Sequence, residues 1–237
     1  MVALIILLVL GIIMSTVFIV SKVINYSLKT IVFKTIASLF FLALAIVAFV
    51  LSGEGYFIFK LFTVLGLFFG LLGDVFLGFK YITTKTKKIW IMLGMFAFMF
   101  GHIFYLIGLL IGFYVPGNPL YLVLAFALPI IIIAGYMFVA KKAGINFGHG
   151  MLPFAFLYIY CLTSMFSSAL SMTILHQFSM TTLVMFLIGA LNFVCSDFML
   201  TGSYFKDGER SKAYRAIYSV FYYVAQFLIA FSIFFLA

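Results

Sequence analysis

The chain has 237 residues, of which 67% are hydrophobic and only 8% charged, and its mean hydropathy is +1.35. These values exclude a soluble globular domain of this size. A formal charge of +9 invites a nucleic-acid reading, but the basic residues mark alternate connections between apolar runs rather than one continuous face, which rejects it.

Eight apolar runs, at about residues 2–20, 32–51, 57–79, 89–113, 119–140, 150–171, 178–204 and 213–236, each approach the ~20 residues needed to cross a bilayer as a helix. They lack the ten-residue alternation of a membrane barrel. The expected fold is all-α: one polytopic domain over 1–237 with eight transmembrane helices. Lys22, Lys29 and Lys34 flank the first connection, Lys80, Lys85, Lys87 and Lys88 the third, Lys141 and Lys142 the fifth, and Lys206, Arg210, Lys212 and Arg215 the seventh. Lys60, near Glu54, is the exception. The positive-inside bias puts the odd connections in the cytoplasm and both termini outside a multi-pass cell-membrane protein. No basic residue precedes the first apolar run, so it reads as an uncleaved helix rather than a signal peptide.

In chain order, helices 1 and 2 carry no ionisable group in their middles and read as scaffold. Helix 3 contains Gly66, Gly70, Asp74 and Gly78 at intervals of four, so a carboxylate shares the face of a small-residue stripe. Helix 4 places His102 and Tyr105 on one face, and Pro116 to Pro119 form a turn. Helix 5 contains Pro129, expected to kink it, and His149 and His176 lie in connections on opposite sides. Cys161 and Cys195 read as packing thiols. Helix 7 holds Asn192, Ser196 and Asp197, and helix 8 holds Tyr222, Tyr223 and Gln226. Asp74 and Asp197, like His102 and Gln226, are separated by about half the chain. That spacing suggests a parallel repeat of four-helix halves, 1–118 and 119–237, with helices 3 and 7 meeting near the axis.

Asp74 and Asp197 are the acids outside polar connections. An ionisable group within a membrane-length apolar run costs at least about 2.5 kcal/mol at helix centre, so each should face the protein interior and marks a candidate site. Asp74 is six residues before Lys80, about 9 Å of helix, and Asp197 is nine before Lys206, about 13 to 14 Å. That depth suits a single-chain lipid whose phosphate rests among Lys80, Lys85, Lys206 and Arg210. Two carboxyl groups in one low-dielectric pocket favour one that keeps its proton and one that does not. A proton donor opposite an anion suits cleavage of an acetal-like or enol-ether bond through an oxocarbenium ion. Neither a cofactor nor a metal is expected, although Asp74, Asp197 and His102 could form a carboxylate-histidine metal site. The rival class is a proton-coupled transporter of small molecules or lipids, for which buried acids and glycine-rich helices are equally natural.

The segments Gly73 to Leu77, Phe100 to Tyr105, Gly189 to Leu200 and Tyr222 to Gln226 resemble, in order, those of the YhhN-like lysoplasmalogenase family. The resemblance implies hydrolysis of the vinyl-ether bond of lysoplasmalogens to a fatty aldehyde and a glycerophospho-base. It supports Asp74 and Asp197 as catalytic residues, with His102, Tyr105, Asn192, Ser196, Tyr223 and Gln226 supporting them and Lys80 and Lys206 at the headgroup. One departure is Tyr204-Phe205 where the family pattern has Arg-Phe.

Overall fold

In a bilayer every backbone polar group must find a partner within the protein, so long apolar runs with no alternation fold as helices. The computed structural model describes residues 1–80, 82, 85–145, 151–205 and 210–236. It comprises α1 Val2–Ile24, α2 Leu28–Leu51, α3 Phe57–Phe79, α4 Lys87–Phe113, α5 Pro119–Lys142, α6 Leu152–Leu175, α7 Thr181–Tyr204 and α8 Lys212–Ser232, followed by a 3-10 segment, Ile233–Leu236. All eight α-helices are long and apolar enough to cross a membrane.

The sequence boundaries hold within a few residues except at two places. α6 continues to Leu175, one turn beyond the expected end. More consequential is the first hairpin, where α1 runs to Ile24 and α2 starts at Leu28, so that Lys22 and Lys34 lie on helices rather than beside a polar connection. The tight turn is held by the backbone N–H of Ser27, which donates to Thr30 Oγ1 at 3.2 Å, and by a 2.7 Å bond between the Ser21 and Thr30 hydroxyls. Pro129 sits inside α5, which remains one continuous helix.

Consecutive helices pair as α1/α2, α3/α4, α5/α6 and α7/α8. The remaining adjacencies also come in matched sets, α2 on α3 with α6 on α7, and α4 on α6 with α8 on α2. A repeat of two four-helix halves would produce this pattern. The expected seam between helices 3 and 7 is replaced by a different arrangement, in which α8 packs against both. The α3/α4 pair is close: a Cβ on Gly101 would stand 3.0 Å from the carbonyl oxygen of Gly66. The buried centre includes Phe41, Leu44, Leu67, Leu109, Leu162 and Phe186. α5 packs mainly on α6 and is the least buried span. Lys60, the charge that broke the topology pattern, is fully buried and caps the second connection, donating to the Gly53 carbonyl at 2.5 Å.

Candidate active site

The odd-numbered connections define one basic end of the bundle, and just inside it lies a cavity of about 80 Å³. Every helix except α5 contributes to its wall. Asp74 of α3 and Asp197 of α7 both line it and are 1% and 5% exposed. The expectation that distant acids share one interior space is therefore met, although they meet across a cavity and not along a helix seam.

Asp74 is densely held. Its Oδ1 is 2.8 Å from Lys34 Nζ. Its Oδ2 accepts from Ser38 Oγ at 2.5 Å and from the Tyr222 hydroxyl at 2.6 Å. Behind Tyr222 the network continues inward, with Gln226 Nε2 donating to the Tyr222 oxygen at 2.9 Å and the Tyr105 hydroxyl donating to Gln226 Oε1 at 3.4 Å. The glycine stripe permits this: a Cβ at Gly70 would lie 2.9 Å from Gln226 Nε2, and one at Gly66 would meet the Tyr105 ring at 2.2 Å. Asp197 has a sparser setting, in which its Oδ2 accepts from the Tyr158 hydroxyl of α6. Ser196 lines the same wall and donates to the Tyr218 carbonyl at 2.9 Å, joining α7 to α8.

Several expected supporting residues stand elsewhere. His102 is buried at 1% exposure but lies one turn beyond Phe98 on α4, and Phe98 lines the cavity in its place. Its ring packs edge-on to Phe193 at 4.7 Å and Tyr158 at 5.7 Å between centroids. His102 thus backs the site without joining the two carboxylates, and the carboxylate-histidine metal set does not assemble. Among the described residues no group of three or more His, Cys, Asp or Glu could hold a metal. Asn192, five residues before Asp197 and so about 140° around the helix from it, turns away and donates to the Ile188 carbonyl of its own helix at 2.8 Å. Tyr223 is buried beside the site, its ring edge-on to Phe18 at 5.7 Å. Tyr105 and Gln226 are, as described, the inner end of the Asp74 network.

The headgroup residues also need correction. Lys206 lies outside the described residues, as does His149. Lys80 is buried with its Nζ 3.2 Å from the centroid of Tyr204, but it does not line the cavity, and Lys85 is exposed. The lysines on the wall are instead Lys22 and Lys34. Lys22 Nζ donates to Ser219 Oγ at 2.7 Å and lies 4.0 Å from the Tyr218 ring centroid. Two long side chains reach inward because an acid and a hydroxyl receive them there, while their methylene stems cover apolar surface. Burial pushes the Lys80 amine well below the usual lysine range, and the charges of Lys22, Lys34 and Lys87 push it further. Tyr204 and Phe205, the departure from the family pattern, both line the cavity.

Sequence reasoning missed Lys22, Lys34, Ser38 and Tyr158. Lys34 and Ser38 are four apart, so one face of α2 carried a readable signal. Tyr222 and Gln226 share the same spacing on α8. Tyr158 shares the first half of α6 with Tyr160, and nothing in its spacing set it apart.

The fold and the cavity define a class: an eight-helix membrane protein with two acids enclosed near one end. Within that class, the model of the YhhN family matches residues 29–233, and the chain belongs to the YhhN family. No curated protein and no solved structure matches it. Membership of this family is consistent with a hydrolase.

Proposed function

We propose that this protein is a membrane hydrolase that cleaves the vinyl-ether bond of lysoplasmalogens, releasing a fatty aldehyde and a glycerophospho-base. The observation that carries the reading is the enclosure of Asp74 and Asp197 in one cavity with unlike partners. Two carboxyl groups in different surroundings take different roles. Asp74, ion-paired to Lys34 and held by two hydroxyls, serves as the carboxylate. Asp197, with Oδ2 engaged by Tyr158, uses its other oxygen to carry a proton.

In the proposed sequence, Asp197 delivers its proton to the β-carbon of the vinyl ether, leaving an oxocarbenium ion flanked by carboxylates. Water adds to the α-carbon and returns a proton to a carboxylate, regenerating the acid. The hemiacetal then collapses: the bond to the glycerol oxygen breaks, that oxygen takes the hydroxyl proton, and the aldehyde leaves. Ser38 and Tyr222 fix the Asp74 carboxylate, and the Gln226-Tyr105 chain fixes Tyr222. The substrate phosphate rests toward Lys22 and Lys34, and the tyrosines at the mouth enclose the headgroup.

Purified protein in detergent, given a lysoplasmalogen, should release free aldehyde, while the matching ester lysophospholipid should yield no fatty acid. Absence of aldehyde, or equal turnover of the ester, refutes the reading.

A further inference from the structure

Two lysines line the cavity, and one of them is left without an anion. Lys34 is committed to Asp74, whose carboxylate stands 2.8 Å from its Nζ. Lys22 is 8% exposed, and among the described residues no carboxylate lies within ion-pairing distance of it. Its Nζ donates to Ser219 Oγ at 2.7 Å, and the Ser219 hydroxyl in turn donates to the Arg215 carbonyl at 2.9 Å. The Tyr218 ring covers a second side of the ammonium, 4.0 Å from Nζ to centroid. An ammonium has three protons to donate, so at least one remains for a ligand. A buried charge answered by a hydroxyl and an aromatic face alone is costly to maintain, and on a cavity wall a bound anion can answer it.

The depth of Lys22 fits the same ligand. Ser219 is three residues before Tyr222 on α8, hence on the same face and about 4.5 Å nearer the basic end. Tyr222 marks the level of Asp74, to which it donates at 2.6 Å. Lys22 therefore stands about one helical turn from that carboxylate, on the headgroup side. The glycerol carbons that separate a vinyl-ether oxygen from a phosphate bridge a comparable gap. In the proposed reaction Asp197 starts protonated, so the wall holds two ammoniums against one carboxylate, and the excess charge is that of Lys22.

We propose that Lys22 is the phosphate ligand of this cavity and makes it select a phosphate-bearing lysolipid over a neutral alkenylglycerol. The choice of ligand rests on the lysolipid reading above and deepens it. Lys22 acts as a point charge on a phosphodiester oxygen, Ser219 and Tyr218 position the ammonium, and Lys34 stays with Asp74.

The site is tested by binding, in a non-ionic detergent, of a saturated-ether lysophospholipid, which has no vinyl-ether bond to cleave, and of the matching alkylglycerol without phosphate. Wild type should prefer the lysophospholipid. Lys22→Met should weaken the lysophospholipid by about tenfold or more, as for loss of a hydrogen bond to a charged group, and leave the affinity for the alkylglycerol unchanged. Lys22→Arg should retain most of the preference. Because removing Lys22 strands no carboxylate, ligand-free Lys22→Met should melt no lower than wild type. A melting temperature well below wild type with equal loss of both lipids would make Lys22 a structural tie and overturn the proposal. Undiminished binding of the lysophospholipid to Lys22→Met, or no preference in the wild type, overturns it too. Inorganic phosphate should compete only weakly; competition as strong as that of the lysophospholipid assigns the site to the free anion and overturns the headgroup role. If wild type shows the phosphate preference but releases no aldehyde from a lysoplasmalogen, the hydrolase reading fails while the phosphate site stands.

Discussion

Asp74 and Asp197 occupy similar stretches of sequence, each near the basic end of a long apolar helix, yet their surroundings differ. Asp74 is held by a cation and two hydroxyls and is backed by a glutamine and a tyrosine. Asp197 touches one phenol. The contrast shows how a fold with matched helix adjacencies can make twin acids unequal. α2 and α8 deliver Lys34, Ser38 and Tyr222 to one carboxylate, while α6 delivers Tyr158 to the other. Chemistry that needs a donor and an anion requires this asymmetry.

The largest effects should come from erasing either acid. Asp74→Asn and Asp197→Asn should each lower aldehyde release by about 10³-fold, within the range for general acid-base groups, with thermal unfolding in detergent still cooperative. Retained turnover in either variant breaks the comparison at its root. Next is Lys34→Met, which strands a buried carboxylate and should destabilise the protein by about 3 kcal/mol, read as a lower melting temperature. Adding Asp74→Asn to Lys34→Met should recover much of that stability, because the uncompensated charge is gone. Tyr158→Phe should lower kcat by about tenfold or more and alter the pH profile of turnover, because it removes a bond to Asp197, the proton donor of the proposed reaction. An unchanged profile would place Tyr158 in packing alone. The smallest effect belongs to Gln226→Leu, which loosens Tyr222 from behind and should cost a few-fold in kcat, in line with about 1 kcal/mol for a buried hydrogen bond, with little change in KM.

Much of this arrangement was legible beforehand. Both acids stood out because a carboxyl group in a membrane-length run is too costly to leave facing lipid. The glycine stripe on α3 correctly marked close packing, and it explains why Tyr105 and Gln226 approach so near. The misreadings have specific physical causes. Lys22 and Lys34 were assigned to topology marking, because a lysine at a helix end serves the membrane interface and an inward ion pair equally well. Helices 1 and 2 therefore read as scaffold, although Lys22, Lys34 and Ser38 belong to the site. Asn192 was expected among the supporting residues with the family resemblance, but its angle around the helix sends it elsewhere. His102 has the right face and the wrong depth, since Phe98 reaches the cavity first.

Composition and hydropathy by themselves determined an eight-helix membrane protein with two interior acids, because lipid leaves the backbone no alternative to the helix and penalises every unpaired charge. Which side chains meet those acids was decided by tertiary structure. Periodicity fixes the face a residue occupies on its own helix, whereas partners depend on how far each helix slides and rotates against its neighbours. Those shifts are set by the packing of all eight spans together.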